Sequence, residues 1–354
     1  MNIFKKIISL ISATFILAFV ILIIAKPSVC RDGAINGILM CGRVIIPSLY
    51  PFTMCVLFIM KSGILEKLQP LSPVTNALFG INAELFSVML LSFIGGFPVG
   101  ARLIDEYVKT NTISEKQGAI MLNYCINAGP AFIIGTVGLG ITGSKQIGYI
   151  LLISHIASSV ILCIISRFWE PEIKANPKIF KTHISPADNF VLSASEAAAS
   201  VFSICAFVIL FSAISAYLTC FSAQFPLLRH VIYITEVTNG ITHTNNILLI
   251  SFLLGFGGIC VWCQIISAAK NTKINFLIFV LFRVLHGTIS TIFTHLLLKA
   301  THTALSVFSN NKVFYQSFIY STPSLSISML AMVIIFLISL NTKKYTGKIL
   351  EDIV

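Results

Sequence analysis

Charged residues are scarce in this sequence, and their scarcity excludes most soluble folds. Asp, Glu, Lys and Arg make up 10% of the 354 residues, whereas an average soluble domain carries about 25%. Hydrophobic residues make up 56%, and the mean hydropathy is +0.92. So little polar material cannot cover a globule in water, so lipid must cover it instead. The composition predicts an integral membrane protein.

Recognisable catalytic motifs are also missing. The chain has no Walker motif, no serine nucleophile elbow, no pair of catalytic carboxylates and no HExxH zinc motif. Cys260 and Cys263 have the spacing of a redox dithiol, but no thioredoxin-type βαβ pattern surrounds them. Two cysteines also fall short of the four ligands of a structural zinc site. We therefore predict a protein that is not an enzyme and that carries no cofactor and no metal.

Long apolar runs dominate what is present. They include residues 7–25, 147–166, 201–218, 276–298 and 324–340, each close to the ~20 residues that span a hydrocarbon core. Backbone groups have no water to bond in lipid, so these runs must be helices. The first run has basic residues before it, as a cleaved signal peptide has, but it is too long for one and no cleavage site follows. We expect it to be retained as a transmembrane helix.

The nine cysteines do not predict a disulfide framework. They are odd in number and lie mostly in apolar segments. This distribution is typical of small buried apolar side chains.

Positive charge is concentrated in three regions. The net charge is +11, but no basic–aromatic module indicates a nucleic-acid partner. Lysines and arginines collect at Lys5 and Lys6, between Arg167 and Lys181, and in the tail after Asn341. The positive-inside rule places the N-terminus, the central loop and the C-terminus of this multi-pass protein in the cytoplasm.

A polar, proline-bearing linker divides the chain into two membrane halves. We predict an N-terminal transmembrane helix over 1–29, a first half over 30–168 and a cytoplasmic linker over 169–190. A second half follows over 191–300, and 301–354 forms a loop, a C-terminal transmembrane helix and a basic tail.

Each half contains an apolar segment that glycines interrupt. Residues 92–97 and 251–256 both read S-F-x-x-G-F, and the flanking segments are unusually short. Such segments at matching places predict two pseudo-repeated halves with re-entrant helical hairpins, as in secondary transporters. We expect Gly95–Gly100 and Gly255–Gly258 to be non-helical breaks near the bilayer midplane. Chance is the alternative, because glycine and proline are common in membrane helices.

Prolines predict further breaks at Pro47, Pro51 and Asn127–Pro130, because proline removes a helical donor. Unwound backbone inside a membrane is tolerated only where protein or a water-filled cavity surrounds it. These breaks therefore indicate a central polar cavity.

Several of these stretches together resemble the YlbJ-type sporulation integral membrane proteins. The resemblance lies in residues 44–52, 96–102, 127–138, 234–240 and 254–258, with Gln264 after the last. It extends over about residues 39–298 without the linker. Cys260 and Cys263 depart from it, since they stand where small or polar residues are expected.

The resemblance implies a membrane protein of endospore formation that is associated with the spore cortex. It also implies the nucleoside-recognition, or Gate, domain, which occurs in nucleoside transporters and ferrous-iron permeases. It supplies no substrate.

Glu236 is the most informative candidate residue. An ionisable group inside a membrane bundle is costly and commonly marks a solute, ion or proton pathway. We expect Glu236 to share a helix face with Asn239, to face the bundle interior near Gly257 and Gly258, and to pair with a partner such as Arg283. A solvated glutamate at a helix end is the alternative.

Other polar residues offer weaker signals. Asn123 and Asn127 share a face if one helix runs to Pro130, and then line a site, bridge helices or cap the helix end. Arg102 is spaced to pair with Asp105 or Glu106. Arg283 and His286 share a face of an apolar helix, and Gln264 lines a cavity or bonds its own helix.

The candidate solute- or ion-binding residues are Ser92, Gly96, Asn123, Asn127, Glu236, Thr238, Asn239, Gly257 and Gln264, with Arg102, Arg283 and His286 as secondary candidates.

Two functions remain open from the sequence. One is a transporter or permease for an unidentified small solute or ion. The alternative is a non-transporting membrane assembly or interaction factor in sporulation. The expected partners are the lipid bilayer, the solute, and either a second copy of the chain or other sporulation membrane proteins.

Overall fold

The computed structural model describes residues 2–168, 173 and 185–301. Most of the predicted linker, including Lys174 to Lys181, lies outside these residues, as do the predicted C-terminal helix and basic tail. Within the described residues no strand forms, and one isolated bridge joins Ile81 to Ile173. The chain is therefore all-α, as the composition predicts.

The helices follow one another along the chain with short connections. They are α1 Asn2–Ala25, α2 Pro27–Met40, a π-helical segment Cys41–Ile45, α3 Ile46–Lys61, a 3₁₀ segment Ile64–Leu71, α4 Ser72–Phe79, α5 Ala83–Gly95, α6 Phe97–Lys109, α7 Glu115–Leu122, a second π-helical segment Ala131–Ile141, α8 Lys145–Ser166, α9 Pro186–Phe221, α10 Leu228–Thr235, α11 Val237–Thr242, α12 Ile247–Phe256, α13 Gly258–Ala268 and α14 Phe276–Ala300.

Five helical stretches in the described part are long and apolar enough to cross a membrane. They are Pro27–Lys61, Lys145–Ser166, Pro186–Phe221, Ile247–Ala268 and Phe276–Ala300. The apolar runs predicted at 147–166, 201–218 and 276–298 lie inside α8, α9 and α14. The prediction of a polytopic membrane protein is confirmed.

The long helices enclose the short ones. Helix α9 packs along α2 and α3, while α8 and α14 pack against each other and α14 also packs on α12. The buried core includes residues of α5, α6, α7, α12 and α13. The interrupted segments therefore lie inside the bundle.

The first glycine break is narrower than the sequence predicts. Gly96, at φ +81° and ψ 177°, is the single residue between α5 and α6. The prediction that the whole of Gly95–Gly100 is non-helical is wrong, because Pro98 needs no N–H partner in the first turn of α6. A Cβ built on Gly100 would lie 3.0 Å from the Ser92 Cβ, so α6 folds back on α5.

The second break also occupies fewer residues than predicted. Helix α12 continues through Gly255 and Phe256, and the turn lies at Gly257 and Gly258, with φ +80° and +78°. In the S-F-x-x-G-F alignment Gly96 matches Gly255, so the second turn comes two residues later than the first. The internal repeat stays a prediction.

Pro47 and Pro51 do not unwind the chain, contrary to expectation. Helix α2, the π segment and α3 form one stretch from Pro27 to Lys61. The Ile46 N–H bonds the Cys41 carbonyl five residues earlier. Local π adjustment of this kind takes up the donors that proline removes.

The Gly96 turn generates the first prediction. The conformation of Gly96 is open almost only to glycine, so Gly96→Ala should cost about 1–3 kcal/mol of stability and lower the thermal midpoint of the detergent-purified protein. Gly135→Ala is the matched control, because a Cβ there meets nothing within 4 Å. A Gly96→Ala variant as stable as this control would contradict the turn geometry.

Candidate solute site

The first interrupted segment lies between α7 and the second π-helical segment. Residues 126–129 have no regular secondary structure, which confirms the break predicted at Asn127–Pro130. A Cβ built on Gly129 would lie 3.5 Å from the Gly96 nitrogen and 3.3 Å from the Ile94 carbonyl oxygen. The unwound backbone therefore crosses the first glycine turn.

Ser92 and Asn127 meet at this crossing. Asn127 is fully buried, and its Nδ2 donates to Ser92 Oγ at 3.1 Å and to the Tyr124 carbonyl at 3.0 Å. The predicted helix face shared by Asn123 and Asn127 does not exist, because α7 ends at Leu122. Asn123 lies one residue beyond that helix, and Asn127 lies in the unwound segment.

Arg283 fastens the unwound segment to α14. Its side chain is fully buried, and its guanidinium donates to the carbonyls of Ile126 at 2.7 Å and Asn123 at 2.5 Å. These carbonyls have no helical N–H to accept from, because the chain has left the helix. The predicted pairing of Arg283 with Glu236 is wrong, since the guanidinium is engaged by carbonyls on the opposite half.

Two histidines complete this cluster. His155 Nε2 accepts from the Ala128 N–H at 3.0 Å, and His286 Nε2 lies 3.1 Å from the His155 carbonyl. The rings are 4.4 Å apart. Because an N–H donates to His155 and a carbonyl faces His286, these bonds fit a neutral His155 protonated on Nδ1 and a His286 protonated on Nε2.

Glu236 lies at the second interruption, between α10 and α11. It is 3% exposed, and its backbone is extended at φ −146°. Its carboxylate accepts from the N–H groups of Thr238 at 3.0 Å and Asn239 at 2.7 Å. Glu236 is thus the N-cap of α11 rather than a helical residue sharing a face with Asn239.

The second interruption crosses the second glycine turn. A Cβ built on Gly258 would lie 3.1 Å from the Ile234 carbonyl oxygen and 3.5 Å from the Val237 nitrogen. Glu236 is therefore buried beside Gly258. The expected bonds from the N–H groups of Gly257 and Gly258 are replaced by those of its own helix.

The two crossings lie on either side of the Phe97 ring. A Cβ built on Gly257 would lie 3.8 Å from Phe97 Cε1, and Phe97 is the first residue of α6 after Gly96. Both glycine turns therefore lie close to one side chain in the core.

Gln264 and Thr238 lie nearby with different partners. Gln264 is 6% exposed, and its Nε2 lies 3.3 Å from Cys260 Sγ, one turn earlier in α13. This contact matches the expectation that Gln264 bonds its own helix. Thr238 is also buried, and Asn239 is half-buried. All nine cysteines are free thiols.

Arg102 and Asp105 connect α6 to other elements rather than to each other. Arg102 contacts Glu196 at 3.6 Å and donates to Ser200, both on α9, while Lys61 of α3 contacts the same Glu196 at 2.6 Å. Asp105 accepts from residues 271 and 272, and Glu106 pairs with Lys109. The predicted pairs within α6 are wrong, because stronger partners from neighbouring helices reach these side chains.

Sequence reasoning missed His155 and Glu196. His155 stands in an apolar run with Ser154, Ser158 and Ser159, which together mark a polar stripe at helical spacing. Glu196 interrupts the small-residue run that precedes the apolar part of α9. Both are ionisable residues in membrane helices, a signal that could have identified them.

Arg283 generates the second prediction. Replacement by Ala leaves the Ile126 and Asn123 carbonyls unpaired in the core, and hydrogen bonds to charged groups are worth about 1.5–3 kcal/mol each. We expect Arg283→Ala to lower the thermal midpoint strongly, whereas Arg229→Ala, at an exposed position, should leave it nearly unchanged. Equal melting of the two variants would contradict the assigned contacts.

Comparison with known proteins follows from the sequence. No protein-family model matches this chain, and no solved structure matches it. The chain is 24% identical, over 347 aligned residues covering 85% of each protein, to the sporulation integral membrane protein YlbJ of Bacillus subtilis strain 168. This similarity, together with the membrane-spanning helices, supports a family-level relation between this chain and that sporulation membrane protein.

Proposed function

We propose that this protein is a transporter or permease for a small solute, acting in the membrane during endospore formation and contributing to the spore cortex. The observation that carries the proposal is the pair of crossings in the core. Each crossing brings a glycine turn against an interrupted helix. Transport proteins use such interruptions to present backbone groups to a solute near the midplane.

Unused polar atoms around the first crossing support the same function. Within the described residues, Asn127 Oδ1, Ser154 Oγ, His155 Nδ1, His286 Nδ1 and Arg283 Nε are buried without a hydrogen-bond partner. Leaving such groups unpaired costs about 1–3 kcal/mol each. A packing scaffold has no reason to keep them, whereas a solute path gives them partners during transport.

The sporulation role is inferred from the similar B. subtilis protein, whose name describes a sporulation integral membrane protein. A Gate-type transport unit and a role without catalysis belong to the same proposal. The rival function is a membrane assembly factor that moves no solute.

Reconstitution distinguishes these two functions. The purified protein is placed in liposomes and offered a panel of nucleosides, small metabolites and divalent cations. We expect at least one solute to enter several-fold faster than in protein-free liposomes. Entry at the protein-free rate for the whole panel, with the protein still folded, would favour the assembly factor.

Glu236 provides the third prediction. Its carboxylate accepts two N–H bonds, but a glutamine would turn its amide nitrogen, a donor, toward one of them. We expect Glu236→Gln to be present at normal levels and yet to reduce heat-resistant spores at least tenfold in a host lacking the wild-type gene.

Asp188→Asn is the matched control, since Asp188 is an exposed carboxylate near the start of α9. We expect this variant to sporulate like wild type. If Glu236→Gln also sporulates like wild type, the functional assignment of Glu236 is wrong.

A further inference from the structure

A cavity of about 500 Å³ opens between α7, the end of α8 and the start of α14. Ser166, the last residue of α8, lines it, so the cavity opens at the end of the bundle from which the linker leaves. It lies apart from the two glycine crossings but reaches Asn123, the first residue after α7.

Asn123 presents its amide to this cavity. Its side chain is 5% exposed and lines the cavity, and it makes no hydrogen bond with any residue that the structure describes. Its backbone carbonyl is held by Arg283. The backbone is therefore fixed, while both the donor and the acceptor of the amide remain for a ligand.

The walls of the cavity are mostly apolar. Ile120 of α7 and Ile274, Phe279 and Phe282 at the start of α14 contribute them, and both phenylalanines are buried. Polar groups are confined to Asn123, Ser166 and the rim. A cavity with apolar walls and few placed polar groups is typical of a small-molecule site.

The rim carries an ion pair between the two halves of the chain. Lys273 Nζ lies 2.8 Å from the Glu115 carboxylate, and both side chains line the cavity. The Glu115 carboxylate raises the pKa of Lys273, so the lysine stays charged at neutral pH. The pair is exposed, so it closes the rim without adding much stability.

Residues 269–275, between α13 and α14, form a loop beside the rim. Asp105 of α6 accepts from the Asn271 N–H at 2.7 Å, from Asn271 Nδ2 at 2.8 Å and from Thr272 Oγ1 at 3.1 Å. The same loop supplies Lys273, Ile274 and Asn275 to the cavity. One buried carboxylate thus fixes the loop that borders the opening.

We propose that this cavity is the linker-side vestibule of the transporter and binds a small amphipathic solute. The solute has an apolar body that lies against the walls, and one polar group that both donates to and accepts from the Asn123 amide. Residues 269–275 are its lid, which Asp105 and Glu115 hold in place. This inference rests on the proposed function, since it assigns the entry site of the same protein.

Thiol labelling tests the vestibule. Single substitutions to Cys are made at Ala119 and Asn123 in the cavity, at Lys116 on the rim and at Asn127 in the sealed core. The protein is placed in lipid nanodiscs, where both faces are accessible, and treated with 2-sulfonatoethyl methanethiosulfonate. Labelling of the native thiols is measured on wild type and subtracted.

We expect Ala119→Cys and Asn123→Cys to react at least tenfold faster than Asn127→Cys. Adding Asp105→Asn should raise the Ala119→Cys rate several-fold and leave the Lys116→Cys rate unchanged, because it frees the lid alone. If both cavity positions react as slowly as Asn127→Cys while Lys116→Cys reacts readily, no vestibule exists. Using two cavity positions keeps the test decisive if one variant fails to fold.

Protection tests the solute class while Asn123 is intact. On Ala119→Cys, hexanamide supplies an apolar body with an amide end, and acetamide supplies the amide alone. We expect hexanamide in the tens of millimolar to slow labelling at least threefold, and acetamide to have no effect. The protection should disappear when Asn123→Leu is added.

Equal effects of both amides, or protection that persists without Asn123, would overturn the assigned site. These measurements do not depend on transport. A labelled and protected vestibule in a protein that moves no solute would defeat the proposed function alone. Transport without a vestibule would defeat this inference alone.

Discussion

A helix that unwinds inside a membrane leaves carbonyl and N–H groups that lipid cannot bond, and the core of this protein is organised around that constraint. At the first crossing Arg283 takes two freed carbonyls, and His155 takes the Ala128 N–H. At the second crossing Glu236 caps the free N–H groups of α11. Each charged or ionisable residue in the core is thus placed where backbone has come apart.

These contacts also join the halves of the chain. Arg283 and His286 belong to α14, yet they hold backbone of α7's unwound extension and of α8. Asp105 and Arg102 tie α6 to the loop after α13 and to α9. A conformational change that separates the halves must therefore break a small number of identifiable polar contacts, which is what alternating access requires of a carrier.

The sequence predicted the helical membrane fold and the location of three breaks well, because composition and glycine or proline placement act locally. It failed where partners come from distant segments. Arg102, Asp105 and Arg283 all had plausible neighbours in sequence or family context, but Glu196, residues 271–272 and the 123–126 carbonyls reach them in the fold. Asn123 was misplaced because α7 ends early, at Leu122, and local pattern reasoning does not show where a helix inside a bundle stops.

Hydrogen exchange of the first unwound segment tests the central claim most directly. The amide protons of Tyr124, Cys125 and Ala128 have acceptors within the protein, at Met121 and His155. In lipid nanodiscs we expect these three amides to exchange as slowly as the middle of α8, although the segment around them is not a regular helix. Exchange within seconds, as in a solvated loop, would contradict the account.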